Sequence, residues 1–373
     1  MTAERRAVAL PAWATSGLLP VLNLAAAFAV SGLVVWAIGE SPLEALKLLL
    51  YGAFGYGEAI GYTFYYATNF IFTGLAVSVA FKCGLFNIGG EGQAMMGGLG
   101  LAVVAIGLDG WPPALVLPAA VLGAAIFGAA WAAIPAWLQA RRGSHIVITT
   151  IMFNFIAASL VSWLLVGVLK APGSQSPESA DFPEAAWLPK IHDLLAGLGI
   201  QIEGSPLNLS FLVALACAGL VWFFIERTKW GYEIRVVGGN PGAARFAGIP
   251  ITRTLVLSML IAGGLAGLMG LNELMGLQHR LIANFTMGYG FVGIAVAFMG
   301  RSHPIGIVLA AILFGALYQG GAELAFEMPT ISRDLIIAVQ GLVILFAGAL
   351  EHLFRPQVQA LFRRLGALGE AHG

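Results

Sequence analysis

Long apolar runs, separated by short polar segments, recur along the whole chain. A bilayer core about 30 Å thick takes roughly 20 apolar residues in a helix. The runs at 16–38, 64–81, 87–107, 114–138, 146–169, 207–225, 255–277, 286–300, 305–326 and 335–353 predict about ten such spans. Hydrocarbon offers backbone amides no water, so a span satisfies them internally, as a helix or in a closed barrel. Barrel strands would alternate in polarity and turn about every ten residues, and these runs do neither. The pattern predicts an all-α polytopic membrane protein with some broken or short helices. Its first run, from Ser16 to Ile38, holds 23 residues. A signal h-region has about 7–15, so the run reads as a retained span even though Arg5 and Arg6 precede it.

Three polar segments stand out between the spans. Ser41-Pro42-Leu43-Glu44 has the order of a capping box, with proline at the first helical position and glutamate three residues after the serine. Residues 170–206 are rich in Pro, Ser and Gly, with five acidic side chains against two lysines. They form a loop too polar for lipid, either a docking surface or a plain connector. Residues 226–254 are the most basic stretch, with five Arg or Lys against two Glu.

Composition agrees with a membrane protein. Of 373 residues only 19 are basic and 19 acidic, 59% are hydrophobic, and 49 are glycine; the mean hydropathy is +0.86. Soluble domains carry about 25% charged residues, which excludes a soluble enzyme, a nucleic-acid binder and a disordered chain. With ten spans and a cytoplasmic N-terminus, 14 Lys and Arg fall inside and only Lys47, Lys170, Lys190, Arg280 and Arg333 outside. The positive-inside rule requires that direction, so both termini are expected in the cytoplasm, 170–206 outside the cell and 226–254 inside. Cys83 and Cys217 lie far apart in or beside apolar spans and read as buried thiols, with no metal or disulfide spacing.

Catalytic chemistry finds little support. The six histidines never fall at metal-binding spacing, and there is no GxSxG elbow or GxxxxGK[ST] phosphate loop. Polar residues inside spans are the usual mark of function in lipid. Asn87-Ile88-Gly89-Gly90-Glu91-Gly92-Gln93 packs three glycines around a carboxylate, with Asn87 as a possible cap and Glu91 in the first helical turn. It reads either as a discontinuous helix facing a translocation route or as a glycine-packed helix start. Asn272-Glu273 ends a span whose Gly263 and Gly267 have the spacing for close helix contact. Thr149, Thr150 and Asn154 are interhelical hydrogen-bonding groups or pathway lining. Tyr62, Phe64, Tyr65 and Tyr66 read as an interfacial aromatic belt. In the basic segment, Asn240 caps a miniature helix with Pro241 at its first position, Gly248 at its stop and Pro250 beyond. Ala243, Ala244 and Ala247 would leave the surface of this rod shallow enough for another protein to approach.

Four motifs, GLFNIGGEGQ, TTIMFNFIA, RTKWGYEIRVVGGNPGAARFAGI and GYGFVGIAVAFMGRSHPIGI, occur in an order that resembles permease subunits of bacterial ABC importers. The likeness covers about residues 40–350 and is to the ribose/branched-chain amino-acid group. The Asn-Ile-Gly-x-Glu-Gly-Gln form points to its nucleoside branch, since sugar permeases typically carry a Leu-Ser-Val-Gly type sequence there. The resemblance implies one transmembrane permease domain over 1–373 in the bacterial plasma membrane, with no cofactor of its own. ATP would be hydrolysed on a separate subunit, and solute would come from an extracytoplasmic binding protein or lipoprotein. A second permease subunit is implied, a heterodimer being favoured over a homodimer. The miniature helix becomes the ATPase-coupling element: Gly238, Asn240, Pro241, Ala243, Ala244, Arg245, Phe246 and Gly248. Asn87, Glu91, Gln93, Asn154, Asn272 and Glu273 are the candidates for the substrate pathway. A permease for ribose or another simple sugar and an ion-driven secondary transporter stay open as alternatives; a membrane-embedded enzyme lacks any nucleophile–base pair or metal cluster.

Overall fold

Helices carry every predicted span, because only local hydrogen bonding satisfies a backbone in lipid. A computed structural model describes residues 11, 14, 18–171, 173, 175–346 and 354–360. Arg5, Arg6, Arg363, Arg364, His352, His372 and the outer ends of the first and last predicted spans lie outside the described residues. The helices are α1 (Leu19–Ala37), α2 (Pro42–Phe54), α3 (Gly57–Lys82), α4 (Gly90–Gly107), α5 (Pro113–Arg142), α6 (Ile146–Gly167) and α7 (Ile191–Ala196). They continue as α8 (Ser210–Arg227), α9 (Lys229–Gly239), α10 (Pro241–Phe246), α11 (Ile251–Gly267), α12 (Tyr289–Met299), α13 (Pro304–Glu327) and α14 (Arg333–Ile344). Among the described residues six helical stretches are long and apolar enough to cross a bilayer: α3, α5, α6, α8, α13 and α11 extended to Gln278. A seventh appears if α1 and α2, bent by 119°, are taken as one span. Of the other predicted spans, one falls on α4, which has 18 residues but is not apolar enough over its length, and two fall on the short helices α12 and α14. α12 has 11 residues, about 16 Å at 1.5 Å per residue, and cannot cross alone.

The chain divides into two compact units, Leu50–Gly320 and the flanks up to Leu49 and from Gly321 on. In the flanking unit, Ser41 Oγ accepts the Glu44 N–H at 3.4 Å, the serine half of the expected capping box at the start of α2. The larger unit packs α3, α4, α5 and α11 around one another. Lipid tails are as apolar as leucine, so helices associate here through close backbone packing rather than hydrophobic exclusion. Gly263 and Gly267 of α11 lie against Gly128 and Ala124 of α5, and Gly97 of α4 meets Gly267. The small-residue spacing read in the sequence is a helix–helix contact.

Two features differ from expectation. Tyr65 is 2% exposed and Tyr66 half-buried. Tyr65 packs edge-on against Tyr66, and Tyr66 turns onto Tyr289 and Tyr318, which also meet Phe70. They are core residues rather than a belt, because α3 is surrounded by other helices along most of its length. Second, α11 continues into a π-helical turn, Leu271–Gln278, a form frequent at functional sites.

The polar loop after α6 is fastened over this turn. Ser179 N–H donates to Leu281 O, Phe182 N–H to His279 O and Leu188 N–H to Met275 O, at 2.9, 2.7 and 3.0 Å. Arg280 pairs with Glu178 and Asp181, and Trp187 stacks on His279 with centroids 4.0 Å apart. Burial, reinforced by the charge of Lys190, holds the His279 imidazole below its ordinary pKa and so neutral.

Candidate functional site

The glycine-rich start of α4 is a junction of three elements. Asn87 is expected as a cap, but α4 begins at Gly90 and Asn87 Oδ1 instead accepts the Gly89 N–H at 2.9 Å. Its amide also pairs in both directions with Gln93, at 3.0 and 3.1 Å. Asn154 reaches across from α6: its Oδ1 accepts the Gly92 N–H and its Nδ2 donates to Ile88 O, each at 2.9 Å. That approach needs Gly92, where a Cβ would come within 2.9 Å of the Asn154 Cα. Asn154 is thus an interhelical bond, while Thr149 and Thr150 bond back to carbonyls of their own helix.

Glu91 is 4% exposed yet fully engaged. Its carboxylate accepts the Thr286 hydroxyl, the Gly288 N–H at 2.9 Å and the Gly290 N–H at 2.8 Å. These amides belong to the start of α12, where N–H groups have no intrahelical partner and the helix dipole favours an anion. Removing the carboxylate would leave those donors unmet, so Glu91 ties α4 to α12.

Asn272 and Glu273 belong to another network. Asn272 Nδ2 donates to Tyr65 O and Asn69 Oδ1, and its Oδ1 accepts from Asn208 Nδ2 and Ser210 Oγ, all at 2.9 Å. Glu273 accepts from Asn69 Nδ2 at 2.6 Å and is 4% exposed. Asn69, Asn208 and Ser210 were not singled out from sequence, since each is a lone polar residue whose partners lie far along the chain. The network braces α3, the start of α8 and the π-helical turn, and its members are all buried.

Of the six pathway candidates, Glu91 and Asn154 line an open cavity of about 420 Å³, together with Met95, Ile151, Phe155, Ala158, Asn284, Met287, Gly288 and Phe291. Asn87, Gln93, Asn272 and Glu273 do not line it.

The basic segment builds a separate surface. Thr228 caps α9, accepting the Gly231 N–H at 3.1 Å. Glu226 holds Arg235 and lies 3.9 Å from Lys82, joining α8, α9 and the end of α3. Gly238 touches the Lys82 backbone, a Cβ there standing 2.1 Å from Lys82 O. Asn240 Oδ1 accepts the Ala243 N–H at 3.0 Å, Pro241 opens α10, and Gly248 stops it in the left-handed region at φ +73°. Ala243, Arg245 and Ala247 are exposed, and Phe246 is 97% exposed. Ala244 departs from the expected shallow surface: it is wholly buried in the chain's own core, because α10 packs on α9 and α11.

The chain is a helical, multi-pass membrane protein with buried polar junctions between its spans. Residues 59–348 match the family described as branched-chain amino acid transport system / permease component, and the chain belongs to it. It is similar to a glucose ABC transporter permease protein of Haloferax volcanii, 37% identical over 367 residues, 96% of this chain and 93% of that one. It is also similar to a guanosine ABC transporter permease protein of Bacillus subtilis, 35% identical over 338 residues (89% and 93%). A nucleoside ABC transporter permease protein of Lactococcus lactis is 31% identical over 339 residues (88% and 90%). In each of these organisms a second, different permease is similar at 26–28% identity. No solved structure matches the chain. The protein is the multi-pass plasma-membrane permease subunit of an ABC importer, a transport component and not an enzyme; in this family ATP is used by a separate subunit.

Proposed function

We propose that this permease imports a nucleoside as one half of a heterodimer of permeases, receiving the solute from an extracytoplasmic binding protein. The observation that carries the solute is kinship over about nine-tenths of the chain with permeases described as guanosine and nucleoside transporters. The paired occurrence of different permeases in the same organisms supports the heterodimer. Both termini and residues 226–254 lie in the cytoplasm in this reading, and the loop 170–206 faces the binding protein. The ATPase engages α10, whose capped ends keep it rigid and whose Phe246 stands out from it. A rigid rod transmits the displacement of ATPase closure to the spans, where a loose loop would absorb it.

A second reading, a hexose, is favoured by the 37% identity to a glucose permease. Reconstituting the permease with its partner permease, ATPase and binding protein in proteoliposomes separates the two. Nucleosides are expected to stimulate ATP hydrolysis and to accumulate inside, with ribose and glucose inert. Accumulation of glucose without nucleosides would assign the hexose reading.

A further inference from the structure

We infer that the cavity bounded by α4, α6 and residues 284–291 is the station at which the nucleobase of the solute is selected, with Phe155, Met287 and Phe291 touching it. This rests on the nucleoside reading and goes beyond it by naming where and how the base is held. The volume, about 420 Å³, lies in the range of about 300–1,000 Å³ usual for small-molecule sites. Its walls are apolar: Met95, Ile151, Phe155, Met287 and Phe291 supply most of the surface, with Asn284 at the rim.

The two buried polar groups at the floor are committed to the protein. Asn154 already serves Gly92 and Ile88, and Glu91 serves Thr286, Gly288 and Gly290. A hexose carries a hydroxyl on almost every carbon, and most of these would lose water here without finding a partner. A nucleobase instead offers two flat apolar faces, which phenylalanine rings and methionine thioethers accommodate, and a polar edge that an amide such as Asn284 can meet.

The rim also holds strained backbone at Met287, whose φ of +45° lies in a region that non-glycine residues seldom adopt; Asn284, at +57°, is of a type that adopts it readily. Such outliers persist where surrounding structure over-determines them, and they cluster at ligand sites. Here the Glu91 carboxylate does so, fixing Thr286, Gly288 and Gly290 on either side of Met287. Glu91 is therefore a positioning residue. The mouth is open, with Phe155 66%, Met287 53% and Phe291 46% exposed.

The test uses the complete complex in proteoliposomes, comparing uptake of guanosine and cytidine by the wild type, Phe155→Ala, Met287→Ala, Phe291→Ala and Glu91→Gln. Leu122→Ala, an exposed position on α5 outside the cavity, is the control. Loss of ring contact is expected to lower guanosine uptake about tenfold and to change the purine-to-pyrimidine ratio, with the complex still assembled, while Leu122→Ala keeps the wild-type uptake and ratio. Glu91→Gln should shift the ratio in the same direction as Met287→Ala, which a purely structural loss of folded protein would not do. In parallel, Asn284→Cys in the working complex should react with a water-soluble maleimide, and guanosine should slow that reaction. If the wild type carries nucleosides while the variants keep its rates and ratio and guanosine leaves labelling unchanged, the station lies elsewhere and the nucleoside reading survives. If the wild type carries glucose and no nucleoside, both readings fall together.

Discussion

Single glycines decide how near the helices of this protein come to one another. A Cβ on Gly267 would stand 2.3 Å from the Ala124 carbonyl oxygen, and one on Gly128 would stand 2.3 Å from Gly263 O. Backbone cannot yield there as a flexible side chain could, so a larger residue must push α5 and α11 apart. Gly267→Val is expected to cost at least about 1–3 kcal/mol, the usual penalty for overpacking. Gly167 has nothing within 4 Å of the same position, and Gly167→Val should be nearly neutral. Thermal unfolding of the two variants in detergent, followed by size-exclusion fluorescence, checks the contrast; equal midpoints would refute it. The spacing of Gly263 and Gly267 was visible in the sequence because both lie on one helix. Gly97 and Gly128, their opposite numbers, were not, since nothing local says which helices will meet.

Among the elements, α10 was the most completely written in its residues. Asn240, Pro241 and Gly248 act through bonds to atoms only a few positions away, so cap, first turn and stop could be read before any fold was known. Which face it presents could not. Ala244 is buried and Phe246 bare because α9 and α11 lie on one side of it. A bulky residue at Ala244 would therefore unseat the rod from its own helices, whereas truncating Phe246 removes only outward surface. Phe246→Ala should leave membrane insertion and yield unchanged while the ATPase no longer co-purifies, or co-purifies without transport. Retained association and wild-type uptake would remove α10 as the coupling element. The start of α4 was legible in the same partial way. Its glycines and carboxylate left a discontinuous helix and a glycine-packed helix start both open; α4 is a continuous helix starting at Gly90, and the partners that hold it, Asn154, Thr286 and the amides of α12, come from 62 to 199 residues away.

For the whole molecule, the charge pattern makes a prediction about sidedness. In intact cells, a cysteine at Leu198, 77% exposed in the polar loop, should react with an impermeant maleimide. A cysteine at Phe246 should react only after the cells are opened. Reaction of both from the same side would overturn the assigned topology. The native Cys83 is buried and Cys217 half-buried, which keeps the background low. From the sequence by itself came the all-α class, a helix at every predicted span among the described residues, the glycine-rich helix start near Gly90 and the capped rod at 240–248. These follow from solvent: hydrocarbon tolerates only internally bonded backbone, and caps and breaks are local chemistry. Tertiary structure alone decided that α12 is too short to cross by itself, that Tyr65 and Tyr66 lie in the core, and that Asn272 and Glu273 brace a π-helical turn away from the cavity. It alone placed Phe155, Met287 and Phe291 beside Glu91. Each of those outcomes depends on which distant segment supplies the neighbouring surface, and in a chain so uniformly apolar one span's periodicity carries almost no record of its partners.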